Sequence, residues 1–237
     1  MTNKTGTHEW ACKTVNIQYG CENNCVYCYA RKMAARFNRI PKLGWDHPDL
    51  KLTINESALP RNTLVMFPST HDITPANITP SLAMILWLVR HGNKLLIVSK
   101  PRLECITRIV DYQLPAEKLE FRFSIGTCRE EIARKWEPNA PLPNERMACA
   151  KMVIEKGYKC SISMEPLLDN IDYGFMIDCF TRLQVHEIWI GAMNYMKDAP
   201  RLNYAQIYAE YKDNPLIRWK DSFRKHLPKG IYDDHTN

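Results

Sequence analysis

Short apolar runs alternate with stretches of helical periodicity along most of the chain. Some runs are continuously apolar, and others alternate apolar with polar residues as a half-buried strand does. The predicted strands cover 15–19, 64–67, 95–98, 119–123, 160–164 and 187–190. Strands that alternate with helices predict a parallel sheet with right-handed crossovers. We therefore expect an α/β fold, a partial (open) TIM-like barrel of about six βα units.

Capping residues mark where several of the intervening helices begin. Thr79 has the N-cap position of one helix, and Pro80 its first helical position. Asn144 and Asn203 can cap two later helices. An apolar stripe over 216–227 predicts a final helix.

Length and hydropathy limit the possible organisation. With 237 residues, 45% of them apolar, the chain is long enough for one sizeable domain. We predict a single domain over 1–237, with a core at about 9–195 and a C-terminal helical extension at about 196–237. The sequence has no run of 18 apolar residues and no apolar signal core at its N-terminus. We therefore expect a cytoplasmic protein without a membrane partner.

The formal net charge of +6 is a mild excess, which does not by itself identify a nucleic-acid partner. One local run of basic residues has no acid between its members; it comprises Arg31, Lys32, Arg36, Arg39 and Lys42. A solvated helix face explains this run at least as well as a phosphate-binding patch.

Three of the nine cysteines, Cys21, Cys25 and Cys28, lie in one short loop. Thiolates this close repel one another unless a cation or a cluster neutralises them. Three thiolates can hold three irons of a cubane iron–sulfur cluster and leave the fourth iron open to a ligand. A structural zinc is the alternative, with Cys12 or His8 as the fourth ligand. The other cysteines are scattered singly, which argues against a disulfide framework.

The spacing of these cysteines, together with Tyr27 just before the last of them, resembles the radical S-adenosylmethionine (radical SAM) superfamily. The resemblance implies a [4Fe-4S] cluster whose open iron chelates the amino and carboxylate groups of SAM. Reduction then cleaves the sulfonium to methionine and a 5′-deoxyadenosyl radical, which abstracts hydrogen from a substrate. It also implies an open barrel of six units and an electron donor such as flavodoxin or ferredoxin.

A more specific resemblance connects residues 20–30 with the spore photoproduct lyase branch of these enzymes. A related, largely phage-associated radical SAM family is also similar, over most of 9–195. Its short matches are Glu9-Trp10, Ser69-Thr70-His71-Asp72, Ser99-Lys100-Pro101 and Met164-Glu165-Pro166-Leu167-Leu168. The lyase has a cysteine hydrogen donor where this chain has Pro68, so we expect a substrate other than the spore DNA lesion.

The lyase resemblance implies SAM contacts just after the predicted strands. Ser69 would hydrogen-bond the methionine end, Lys100 would pair with the carboxylate, and Ser124 would contact the ribose or carboxylate. Tyr27 would lie near the adenine, with Met193 on the adenine side. These roles are chemically sensible, because an ammonium is a compact point charge and hydroxyls satisfy polar groups removed from water.

Three further residues at strand ends, Asp72, Glu165 and Asn194, are candidates for substrate contacts. Glu165 can alternatively bind a SAM ribose hydroxyl, or pair with Lys100 or an arginine. His71 is expected to cap a helix rather than to shuttle a proton.

The favoured substrate is a nucleotide or nucleic acid, with a peptide or small metabolite as the enzymatic rival. Two other classes stay open. One is a zinc-containing, non-catalytic nucleic-acid-binding module, and the other is an iron–sulfur redox sensor.

Overall fold

A seven-stranded sheet, parallel throughout, curls into a half-barrel and forms the framework of the chain. The computed structural model describes residues 6–51, 55–194 and 196–231. The strands, in chain order, are β1 (Lys13–Thr14), β2 (Gln18–Tyr19), β3 (Asp49–Leu50), β4 (Leu64–Phe67), β5 (Lys94–Ser99), β6 (Leu119–Ser124), β7 (Lys159–Met164), β8 (Ile188–Ile190) and β9 (Ile217–Trp219). Spatial order in the main sheet is β1-β4-β5-β6-β7-β8-β9, while β2 and β3 pair separately. The predicted α/β fold with an open parallel barrel is confirmed.

Helices connect most of these strands and cover the sheet. They are α1 (Tyr29–Arg36), α2 (Ile78–Arg90), α3 (Leu103–Val110), α4 (Glu130–Trp136), α5 (Pro143–Glu155), α6 (Tyr173–Arg182), α7 (Tyr204–Tyr211) and α8 (Asp221–Arg224). One large apolar cluster joins the sheet to α2, α3, α5 and α6. Among the described residues, no helix has the length and hydropathy needed to cross a membrane.

The predicted helix starts are partly wrong. Helix α2 begins at Ile78 after Asn77, so Thr79 is already helical, and Pro80 still lies in the first turn. Helix α5 begins at Pro143, so Asn144, the predicted cap, is already helical. Proline can start a helix because its missing N–H would have no helical partner. The Asn203 cap is confirmed, since its side chain accepts the backbone N–H of Gln206 at 3.2 Å.

Only part of the first predicted strand forms. Strand β1 lies before the predicted range of 15–19, and β2 is the only strand within that range. Only β1 joins the main sheet, in parallel with β4. The Asn16 side chain then binds the backbone N–H groups of Ser69 and Thr70, at 2.8 and 2.9 Å, and the chain leaves the sheet. Strand β2 pairs antiparallel with β3 instead, which brings the cysteine loop beside the long connection after α1.

The C-terminal helix predicted over 216–227 is wrong. The chain there forms β9, which pairs in parallel with β8, followed by the short α8. The backbone of β8 would otherwise be an unpaired edge, and a strand satisfies its polar groups where a helix would not. The Trp219 and Phe223 rings are still in contact, with centroids 4.7 Å apart. The four-residue spacing of these apolar residues therefore reflects packing between β9 and α8 and not one continuous helix. The sheet therefore has seven strands and not six.

Replacing Phe223 tests whether the C-terminal segment belongs to the core. Phe223 is fully buried, whereas Phe175 on α6 is 65% exposed. We expect Phe223→Ala to lower the free energy of unfolding by about 3–5 kcal/mol because it leaves a cavity. The matched Phe175→Ala should change it by less than about 0.5 kcal/mol. Urea unfolding measures both, and equal small losses would contradict the packing of this segment.

Candidate functional site

A cavity of about 640 Å³ opens at the carboxyl ends of the parallel strands. In sheets of this kind, ligands bind at that end. Ten of the eleven predicted site residues line it: Cys21, Cys25, Tyr27, Cys28, Ser69, Asp72, Lys100, Ser124, Glu165 and Asn194. Met193 is not on this wall. It packs with Trp136 and Leu168 in a small apolar cluster that Tyr27 contacts.

Backbone hydrogen bonds help to fix the cysteine loop. The N–H of Cys21 donates to the carbonyl of Trp45 at 2.7 Å, and that of Val26 donates to the carbonyl of Trp136 at 2.9 Å. Helix α1 begins directly after the loop, with the Cys28 sulfur accepting the backbone N–H of Arg31 at 3.4 Å. The three thiols are therefore held by both the connection after α1 and the end of α4.

Burial makes the thiols of Cys21 and Cys25 poor acids in the absence of a cation. It raises the pKa of Cys21, and it raises the pKa of Cys25 to about 11 although the nearby Lys100 lowers it. Across the described ranges, no three His, Cys, Asp or Glu side chains are arranged to hold a single metal ion. Cys12, the fourth ligand in the zinc interpretation, is exposed.

Glu137 is a buried centre of charge that sequence reasoning missed. Its carboxylate lies 2.6 Å from an Arg146 guanidinium nitrogen and 3.7 Å from Lys100 Nζ, and the Tyr27 hydroxyl donates to it. Burial raises the pKa of Glu137, but the two cations outweigh burial and hold it below its ordinary value. A single glutamate after a tryptophan carries no local signal for such a role.

Lys100 stays protonated in this environment. Its ammonium lies 5.5 Å from the centre of the Tyr27 ring. Burial lowers the pKa of Lys100, but the nearby Cys25, Glu137 and Asp72 more than compensate and raise it. The cavity thus presents a fixed positive charge beside the cysteine loop.

Asp72 connects the cysteine loop to the end of β5. One of its oxygens accepts the Asn23 amide and the Lys100 backbone N–H, both at 2.9 Å. The other accepts the Ile73 N–H at 2.9 Å and the Ser99 hydroxyl. Both carboxylate oxygens of Asp72 therefore already accept hydrogen bonds from within the protein. The substrate role of Asp72 stays a prediction.

His71 does not cap a helix, contrary to the prediction. Its Nε2 lies 3.2 Å from the backbone nitrogen of Ile17, whose N–H it accepts, and its Nδ1 lies 3.0 Å from the Asp72 carbonyl. Burial lowers the pKa of His71 to about 4, so the ring is neutral near pH 7. A neutral ring with Nδ1 protonated satisfies both contacts.

Glu165 has a cation partner that sequence reasoning did not find. Lys220 Nζ lies 3.5 Å from Glu165 and 3.0 Å from Glu9, and it donates to the Gly6 carbonyl at 2.8 Å. The Ser222 hydroxyl also donates to Glu165, at 2.8 Å. The partner is therefore neither Lys100 nor an arginine. Lys220 follows β9, in the segment predicted to be helical. Its position in the cavity wall therefore could not be predicted from the sequence.

A glycine makes room for the Glu165 side chain. A Cβ at Gly191 would lie 2.6 Å from Cγ of Glu165, which is closer than such atoms approach in proteins. The residue after β8 must therefore lack a side chain.

The remaining predicted contact residues, Ser69, Ser124 and Asn194, differ in their hydrogen bonds to the protein and in their exposure. The Ser69 hydroxyl accepts the Asn16 amide at 2.8 Å, and the Ser124 carbonyl accepts an Arg146 N–H at 3.0 Å. Asn194 is exposed at the rim of the cavity. These residues lie on one wall, but their roles toward a ligand stay predictions.

Breaking the Glu137 pair should destabilise the fold strongly. Arg146→Met leaves a buried carboxylate short of one cation, and we expect a loss of about 3–5 kcal/mol in unfolding free energy at pH 7. The exposed pair of Arg134 and Glu130 offers a control, and Arg134→Met should cost less than about 1 kcal/mol. Urea unfolding measures both, and a similar small loss in the two variants would contradict a central role for the pair.

The same experiment has a pH signature. The folded pKa of Glu137 lies below its ordinary value of 4.5. Its stabilising contribution is therefore complete above that value and is lost as pH falls through the folded pKa. In Arg146→Met the charged form is penalised, so the stability gap from the unmodified chain should narrow as pH is lowered from 7 toward 4.

The chain resembles known enzymes in structure rather than in sequence. No family model matches it, and neither does any curated protein sequence. A structure of spore photoproduct lyase complexed with dinucleoside spore photoproduct aligns with a TM-score of 0.58 at 21% identity, over 91% of this chain and 65% of the lyase. A lyase mutant with bound AdoMet aligns with a TM-score of 0.56 at 20% identity, over 87% of this chain and 62% of the lyase.

A second enzyme has the same architecture. SuiB from Streptococcus suis, bound to the precursor peptide SuiA, aligns with a TM-score of 0.59 at 10% identity, over 93% of this chain and 52% of SuiB. The chain spans less than two thirds of the length of these proteins. The predicted resemblance is therefore confirmed for the fold: this chain has the half-barrel of two radical SAM enzymes.

Proposed function

We propose that this chain is a radical SAM enzyme with a [4Fe-4S] cluster on Cys21, Cys25 and Cys28. When bound, the reduced cluster and SAM supply a 5′-deoxyadenosyl radical and methionine, and the radical takes a hydrogen atom from the substrate. The observation that carries the proposal is the convergence of the three thiols and four of the five predicted SAM contacts on one cavity of a half-barrel.

The donor set fits such a cluster better than it fits a zinc ion. The three thiols line one cavity, yet within the described residues they do not form a site for a single ion. A cubane suits such a donor set, because each thiolate binds a different iron and the three sulfurs need not converge on one ion. A cluster also supplies the positive charge that deprotonation of two buried thiols demands.

The SAM-binding roles follow from the chemistry of the wall. Lys100 provides an ammonium for a carboxylate, and its pair with Glu137 and contact with Tyr27 hold it in place. The hydroxyls of Ser69 and Ser124 offer hydrogen bonds to the methionine and ribose parts. Tyr27 presents a ring to the adenine, and Met193 supports that ring from behind through the apolar cluster.

For the substrate we propose a nucleotide or nucleic acid, contacted by Asp72, Glu165 and Asn194. The lyase structure with a dinucleoside supports this class, whereas the SuiB structure with a precursor peptide supports the rival. Pro68 stands where the lyase has its hydrogen-donating cysteine, so the spore lesion is not the proposed substrate. An electron donor such as flavodoxin or ferredoxin would reduce the cluster, and the free cysteines suit a reducing, cytoplasmic location.

Anaerobic reconstitution with iron and sulfide, followed by reduction and addition of SAM, tests the enzyme class. We expect a cluster spectrum and the release of 5′-deoxyadenosine and methionine, both abolished in Cys25→Ala. The exposed Cys12 offers a matched control, and Cys12→Ala should keep the cluster and the cleavage.

Each alternative has its own result in this assay. Tight zinc binding that depends on Cys12 or His8, without cluster formation, would establish the binding module. A cluster that changes redox state but never cleaves SAM in the presence of any offered substrate would favour the sensor.

SAM binding can be separated from SAM cleavage by varying Lys100. Lys94 begins β5 and is exposed, whereas Lys100 follows the other end of the same strand and lines the cavity. We expect Lys100→Met to weaken SAM binding by about tenfold or more, since it removes a charge-assisted hydrogen bond. Lys94→Met should leave affinity unchanged. Equilibrium dialysis with the reconstituted protein measures both, and equal affinities would contradict the assigned role, provided that melting temperatures show both variants folded.

A further inference from the structure

Exposed apolar side chains are concentrated in one part of the chain. Seven of the thirteen large apolar side chains described as exposed lie between residues 19 and 50. They are Tyr19, Tyr29, Met33, Phe37, Ile40, Leu43 and Leu50. Single exposed apolar residues need no explanation, but a cluster of them indicates a binding surface.

Helix α1 and the residue that follows it, Phe37, carry three of these side chains on one face. Tyr29, Met33 and Phe37 are spaced four residues apart and are 42%, 47% and 54% exposed. Residues four apart lie above one another along a helix. Tyr29 and Met33 also line the cavity, so the apolar stripe begins at the proposed active site and continues outward to Phe37.

Positive charge accompanies the stripe. Residues 29–51 contain six Lys or Arg and two Asp or Glu, and they account for four of the six net positive charges of the chain. The exposed Arg36 and Arg39 approach the Phe37 ring, at 5.8 and 5.6 Å from its centre. Neither makes an ion pair with a carboxylate in the described part of the chain. Cations beside exposed rings favour a binding surface over an ordinary solvated helix face.

The same surface continues onto the ribbon formed by β2 and β3. Lys51 Nζ lies 4.9 Å from the centre of the exposed Tyr19 ring. Burial, and then the neighbouring Arg39 guanidinium, lower the pKa of Lys51. Lys51 donates to the Asn16 carbonyl at 2.9 Å, and among the described residues neither Lys51 nor Arg39 forms an ion pair with a carboxylate. Such a pair of cations is stabilised when a bound anion supplies the missing negative charge.

We infer that this surface, defined by Tyr19, Tyr29, Met33, Arg36, Phe37, Arg39 and Lys51, binds single-stranded nucleic acid. Cations for phosphates and exposed aromatic rings for bases are the two features that such binding needs. A duplex keeps its bases stacked inside, where these rings do not reach. That the bound nucleic acid continues into the cavity, with its reacting nucleotide there, rests on the proposed function. The binding of nucleic acid to this surface does not rest on it.

Fluorescence anisotropy with a labelled single-stranded oligonucleotide of mixed sequence tests the charges. We expect binding by the full chain, with or without its cluster, that weakens steeply as salt is raised. Arg36→Glu combined with Arg39→Glu should weaken binding at least tenfold and reduce the slope of log affinity against log salt by about 1.4, or about 0.7 for each lost phosphate contact. Arg90 and Arg182, which are exposed last residues of α2 and α6, offer the control, and their combined change to Glu should leave affinity near its original value.

The aromatic part of the surface has a separate test. Phe37→Ala should weaken oligonucleotide binding by about tenfold, because each stacked base contributes about 1–3 kcal/mol. Phe175 is similarly exposed but lies on α6, and Phe175→Ala should bind as the unmodified chain does. Equal affinities for the two variants would contradict stacking on α1.

Other partners give different results in the same assay. Equal affinity for a duplex of the same length, or binding only to anionic lipid vesicles or to an acidic flavodoxin, would overturn the inference. SAM cleavage without oligonucleotide binding would overturn it and leave the proposed enzyme intact. Oligonucleotide binding that follows the variants above, in a protein that never forms a cluster, would support the inference and overturn the proposed function.

Discussion

The buried carboxylate of Glu137 determines how three parts of the molecule meet. A charge removed from water must be compensated by nearby opposite charges, and here Arg146 from α5 and Lys100 from the end of β5 compensate it. The Tyr27 hydroxyl donates to the same carboxylate, so the cysteine loop is fixed against both elements. The position of the thiols relative to the cation in the cavity therefore depends on one charge that is nowhere near them in sequence.

Two further sets of internal contacts fix carboxylates in the cavity wall. Asp72 accepts four hydrogen bonds, which join the cysteine loop to the end of β5, and Lys220 pairs with both Glu9 and Glu165. The carboxylates in this site are thus paired or hydrogen-bonded from within. A ligand that enters meets a preorganised surface, which lowers the cost of ordering side chains on binding.

The fold and most of the cavity wall could be predicted from local patterns. Apolar runs identified five strands, because a buried parallel strand must be apolar along its length, and the cysteine spacing identified the loop. Strand β9 was missed because three residues in a strand carry little periodicity, and its pairing with β8 is a tertiary contact. Met193 does not line the cavity, for a simpler reason. Ala192 and Asn194 line the cavity, so in an extended segment the residue between them faces the other way.

Long-range ion pairs lie beyond this kind of reasoning. Neither Glu137 nor Lys220 belongs to a motif, and each acquires its role only from residues that folding brings close. The contact that joins Asp221 to Glu9 spans 212 positions in the chain. Loop closure becomes more costly as the separation of the joined residues grows, so this wall is among the last parts of the native structure to form. Until this wall forms, the cavity is open on the side of Glu165, and the cysteine loop is more accessible to solvent than in the native structure.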